Sequence, residues 1–94
     1  MQMSYQAEQD LGYLQITSLS VARGLPIPDG TALILVTPET QAVRWRADGT
    51  NPTASVGYPL AVGVEARFTL KQLSAPKFIE QTASAKINVY FFGQ

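Results

Sequence analysis

Apolar and polar residues alternate along much of this chain, and the period is two, the period of a β-strand. The cleanest case is 64–70, where Val64, Ala66, Phe68 and Leu70 fall on one side and Glu65, Arg67 and Thr69 on the other. Successive side chains of a strand point to opposite faces, so this pattern predicts a half-buried strand. Residues 42–47 alternate as strictly, with Val43 and Trp45 opposite Arg44 and Arg46. Residues 15–21 alternate less evenly and predict a strand at a sheet edge. Residues 32–37 are apolar on both phases, which fits a central strand covered on both faces better than so short a helix. Pro38 is expected to stop that strand and 37–41 to reverse the chain, so that 32–37 and 42–47 form a hairpin.

The connections are equally legible. Residues 24–30 hold two prolines and an Asp-Gly pair, which removes backbone donors and favours a tight turn. Residues 48–57 form a loop rich in Gly, Thr, Asn, Ser and Pro, in which Gly49 is expected at positive φ with Asp48 capping the backbone. Tyr58, Pro59 and Leu60 return to an apolar surface, and Pro59 restricts that piece to an edge or bulge. Residues 73–80 contain a proline and then Phe78 and Ile79, and 86–92 close the chain as a last strand. No segment reads as a helix of any length, so the class is all-β. The architecture expected is a single antiparallel β-sandwich, with jelly-roll order among the arrangements it allows. Residues 1–13 are assigned to an N-terminal arm or peripheral segment, and 14–94 to the sandwich domain.

The last strand is apolar on both phases: Ile87, Val89 and Phe91 on one, Tyr90 and Phe92 beside Asn88 on the other. Only one face of a sandwich strand points into the core. Fully burying a phenylalanine is worth roughly 1.5–3 kcal/mol, so the Tyr90 and Phe92 face is expected in or near an oligomer contact.

Composition narrows the function classes. The chain has 94 residues, no cysteine and no histidine, so disulfides, Cys or His metal sites and thiol or imidazole catalysis are excluded. Charged residues make up 15% and balance to a formal net charge of zero; the sparse charge suggests a surface partly covered by a neighbour. Without clustered cations, nucleic-acid binding is disfavoured. No window has the length of a membrane span and the N-terminus lacks a signal-peptide pattern, so synthesis in a cytosol and no membrane partner are expected.

Candidate chemistry is thin. Asp48, Glu39, Glu65 and Glu80 could be paired as acid and base, yet none lies in a site motif. Ser55 lacks the histidine that usually activates a serine. Asp48 to Asn51 resembles a fragment of a calcium loop without the further carboxylates such a loop requires. No enzyme, cofactor or metal is therefore expected. Trp45 could stack a sugar or base, but at an inward strand phase it is expected in the core. Arg44, Arg46 and Asp48 read equally well as an interface charge network or a solvated strand face.

The segment Val43-Arg44-Trp45-Arg46-Ala47-Asp48-Gly49-Thr50-Asn51-Pro52-Thr53, the return Gly57-Tyr58-Pro59-Leu60, Lys77-Phe78-Ile79 and the closing Ile87-Asn88-Val89-Tyr90-Phe91-Phe92-Gly93 resemble a group of small phage virion-associated β-sandwich proteins. The resemblance implies a structural part of a phage particle: a capsid decoration or cement protein, or a head-fibre or tail component. It implies location in the virion after synthesis in the host bacterial cytoplasm. The partners implied are a second copy, as a dimer or trimer, and the major capsid or another virion protein. The candidate interface residues are Arg44, Arg46, Asp48, Asn51, Tyr58, Tyr90 and Phe92. A competing reading is a small carbohydrate-binding β-sandwich module, which predicts Trp45, Tyr58 or Tyr90 exposed as a coplanar platform.

Overall fold

The computed structural model describes residues 9–70 and 75–93, and the N-terminal eight residues of the expected arm lie outside this range. Among the described residues seven strands follow in order: β1 Gln9–Ile16, β2 Thr31–Glu39, β3 Val43–Arg46, β4 Tyr58–Leu60, β5 Ala66–Thr69, β6 Lys77–Glu80 and β7 Lys86–Gly93. They form a four-stranded sheet, β1-β7-β2-β5, and a three-stranded sheet, β4-β3-β6. Every strand pairing is antiparallel. The protein is an all-β sandwich.

The pairings are nested. β1 pairs with β7, β2 with β5, and β3 with β4. Between the first and second of these lies an isolated antiparallel bridge from Arg23 to Phe78 of β6. First-with-last winding of this kind is jelly-roll order, which normally uses eight strands. Here the second strand is reduced to the Arg23 bridge, where Pro26 and Pro28 follow and deny the ladder its donors.

The core forms between the sheets from one phase of each strand. Ile34 and Val36 of β2, Ile87, Val89 and Phe91 of β7, Phe68 of β5, Val43 of β3 and Phe78 of β6 are all buried together. The Phe68 ring centroid lies 4.7 Å from that of Trp45 and 5.9 Å from that of Phe78, both pairs near perpendicular, so an aromatic row ties the two sheets.

Four local expectations are corrected. β1 starts at Gln9 and ends at Ile16, inside the segment given to the arm and short of the strand expected over 15–21. Its pairing is carried by β7, with Tyr13 opposite Tyr90 and Ile16 opposite Ile87, and this long-range match overrides the weak local pattern. β2 and β3 are not a hairpin, because the chain crosses at Thr40 from one sheet to the other. Pro38 does not stop β2. Its carbonyl accepts from Gly63 N at 3.0 Å, so Pro38 faces the β5 side, where the ladder has already ended at Val36. A missing N–H costs nothing there. Val64 is exposed and precedes β5 instead of belonging to it.

Candidate functional site

The seven candidate interface residues fall on two separate surfaces. Arg44, Arg46, Asp48, Asn51 and Tyr58 gather around β3, β4 and the loop between them, whereas Tyr90 and Phe92 lie on the outer face of the four-stranded sheet.

On the first surface β3 presents Arg44 and Arg46 outward. Arg44 braces the loop: its Nη1 donates to the Gly57 carbonyl at 2.7 Å and its Nε to the Ala54 carbonyl at 3.2 Å. With the Gln81 amide turned to the orientation that satisfies both of its ends, its oxygen accepts from Arg44 Nη2 at 3.0 Å. Arg46 grips Asp48 with two bonds, Nε to Oδ1 at 3.1 Å and Nη2 to Oδ2 at 2.6 Å. That fork, joined by the Thr50 N–H at 3.2 Å, holds the Asp48 carboxyl at about 2, well below the ordinary carboxylate range. Gly49 has a φ of 87°, so the turn chemistry read from Asp48-Gly49 is what the structure contains. Lys77, opposite Arg46 on β6, donates to Asn51 Oδ1 at 3.1 Å. Thr53 and Val56 exchange backbone bonds at 2.8 and 3.3 Å, which makes the loop an ordered structure with its own turn.

Gly57 anchors that loop. Its φ is 144°, and an added Cβ would sit 3.1 Å from Pro52 Cβ and 3.2 Å from Arg44 Cβ. Only glycine lets the backbone approach this closely. Beside it Trp45 and Tyr58 pair at 5.4 Å with rings tilted by 39°. Tyr58 is 68% exposed, while Trp45 is half-buried and packs against the core. With Arg46, Asp48 and Val56 they line an open hollow of about 380 Å³. Trp45 is thus neither fully core nor a free platform.

The second surface is a polar and aromatic sheet face. The Tyr90 hydroxyl donates to Asp10 Oδ2 at 2.7 Å and the Tyr13 hydroxyl to Asn88 Oδ1 at 2.6 Å. Asn88 donates to Glu39 Oε1 at 2.9 Å, and Gln15 donates to both Asn88 and Glu39. The Tyr90 and Phe92 rings stack at 4.9 Å with 16° between planes. Bonding to Asp10, then burial, pushes the Tyr90 hydroxyl above its ordinary value. Tyr13, Gln15 and Asp10 are not among the candidates read from the sequence, and Glu39 is there only as a catalytic carboxylate. The alternation of Tyr13 and Gln15 against Leu14 and Ile16 was their signal, masked by assigning residue 13 to the arm.

Among the described residues no group of three or more acidic, histidine or cysteine side chains could hold a metal. Asp48 has Arg46 as its partner, Glu39 has Asn88 and Gln15, and Glu80 Oε1 accepts from Ala85 N at 3.4 Å. Glu65 lies 3.9 Å from Arg67. The four carboxylates are distributed among four separate local contacts. Comparison with known protein families, curated proteins and solved structures gave no match.

Proposed function

We propose that this chain is a non-enzymatic structural component of a phage particle, a capsid decoration or cement protein working through contacts with copies of itself and with a coat protein. The observation that carries the reading is the outer face of the four-stranded sheet. Tyr13 and Tyr90 are held there by hydrogen bonds among β1, β2 and β7, and Phe92 by its stacking on Tyr90. A surface fixed before contact loses little side-chain entropy when a neighbour covers it. The braced loop 48–57 offers a second rigid contact on the other side of the molecule. On a repetitive shell two weak contacts reinforce each other through high effective concentration. The test is quantitative mass spectrometry of purified phage particles whose genome encodes the chain. Hundreds of copies per particle support decoration, a handful point to a portal, fibre or tail position, and absence from particles overturns the reading.

A second reading has its own observation. Exposed Tyr58 against Trp45, beside the Arg46–Asp48 fork in an open hollow, combines an apolar ring with polar groups as sugar sites do. The tilt between the rings does not match the coplanar platform this reading requires. Glycan-array binding lost in Tyr58→Ala would favour it over the particle role.

A further inference from the structure

A two-sheet sandwich has four edge strands, and three of them are closed by their own sequence or by the chain. β4 is three residues long with Pro59 at its centre. β5 is four residues long and carries Arg67. Along β6, Arg23 exchanges two backbone bonds with Phe78 at 2.8 and 2.9 Å, and Glu80 N donates to the Leu19 carbonyl at 2.9 Å. Short length, proline, charge and coverage are the devices by which edges avoid pairing with another chain. β1 differs. It is eight residues long, and beyond a bulge at Asp10 to Gly12 it runs through Gly12, Tyr13, Leu14, Gln15 and Ile16 with neither proline nor charge.

A hollow of about 640 Å³ lies against this strand. Consecutive residues Leu14 to Ser18 line it, both phases together, and no residue of β7 does. The hollow therefore sits on the side of β1 away from β7, an edge that no strand among the described residues covers. Its far wall is Arg23 to Pro26.

We propose that β1 is a self-association edge, and that a second copy of this chain pairs with it antiparallel about a two-fold axis through Leu14. Charge placement selects this occupant. Exposed Asp10 stands at one end of β1. At the other end the Arg23 guanidinium is held by its Nε bond to the Ser18 carbonyl at 2.6 Å. Antiparallel pairing about Leu14 sets Tyr13 against Gln15 of the second copy. It also carries each Asp10 toward the Arg23 end of the other strand. A two-fold contact uses this match twice, and the zero net charge of the chain adds no overall repulsion. The product is one continuous sheet joining two four-stranded sheets, with the Tyr13 and Tyr90 faces of both copies side by side. The pairing gives the self-contact of the particle reading a surface, yet its test on the isolated chain can hold or fail whether or not the chain belongs to a particle.

The test is made on the purified full-length chain. Sedimentation equilibrium should show a concentration-dependent species of twice the 10.2 kDa chain mass. The protein has no cysteine, so Leu14→Cys is a clean probe. Directly opposed antiparallel residues have Cα atoms about 4.5–5.5 Å apart, within disulfide range, and mild oxidation should give a covalent dimer. Val62→Cys, exposed elsewhere, should not. Independently of that variant, Asp10→Lys and Arg23→Glu should each weaken the dimer about tenfold, and the double exchange should restore it. A monomer at sub-millimolar concentration, cross-linking of Leu14→Cys no faster than of Val62→Cys, or no rescue by the double exchange overturns the proposal. So does a monomer whose residue 12–16 amides exchange slowly, because β1 is then covered from within its own chain.

Discussion

The Thr40 hydroxyl donates to the Ser84 carbonyl at 2.6 Å, and both residues hold positive φ, 73° and 78°. Left-handed backbone is unfavourable outside glycine, above all for a β-branched residue. Thr40 is the point at which the chain leaves the four-stranded sheet, and Ser84 lies in the turn that enters β7. The bond clips the crossover to that turn. Ser84 contributes its carbonyl, which glycine also has, so Ser84→Gly should stabilise the protein by up to about 1 kcal/mol. Thr40→Ala keeps the strain and loses the hydroxyl, and should cost about 1 kcal/mol. Urea unfolding of the two variants would show midpoints moving in opposite directions.

Gly57→Ala should be destabilising by about 1–3 kcal/mol, because the added methyl group enters the contact between Pro52 and Arg44 while φ stays unfavourable. The loop should loosen with it. Faster amide exchange at Thr53 and Val56, whose mutual bonds close the turn, is the expected signature in hydrogen-exchange NMR.

Asp48 sets an acid limit. Its carboxyl titrates at about 2 in the folded protein, against an ordinary value of 3.8. A depressed carboxylate stabilises the fold above its unfolded value and loses that contribution as pH falls through its folded one. The Asp48 share of stability is therefore whole at neutral pH and lost between about pH 4 and pH 2. Carboxyl-carbon NMR titration should place the midpoint near 2, and Arg46→Gln should move it back toward the ordinary range.

Tyr90 separates contact from fold on the sheet face. Tyr90→Phe removes the donor to Asp10 and keeps the ring stacked on Phe92. Tyr90→Ser removes both. If this face meets a neighbour on a particle, the serine variant should lose particle occupancy and the phenylalanine variant should keep most of it. Equal occupancy for both, measured by quantitative mass spectrometry of purified particles, would exclude Tyr90 from the contact.

Strict alternation was enough to find β3 and β5, because each buries one phase against the opposite sheet, and β7 was legible as a run that is apolar on both phases. Pro59 was enough to place β4 at an edge. What could not be read was decided by partners far away in the chain. The register of β1 depends on β7, the crossover at Thr40 depends on Ser84, and the tolerance of Pro38 depends on where β5 stops. The Arg44 brace was hidden for the same reason. An arginine on an outward phase looks solvated until the loop carbonyls that it collects have been placed around it.

The nested winding has a kinetic consequence. β7 lies between β1 and β2, so the four-stranded sheet has no continuous ladder until the final strand arrives. Contacts between distant parts of a chain are slow to form, since loop closure precedes any gain from them. During synthesis β1 and β2 must wait, unpaired with each other, while the rest of the chain leaves the ribosome. Folding should thus be a late, all-at-once event, and a ribosome-stalled chain lacking residues 86–93 should remain protease-sensitive along its whole length.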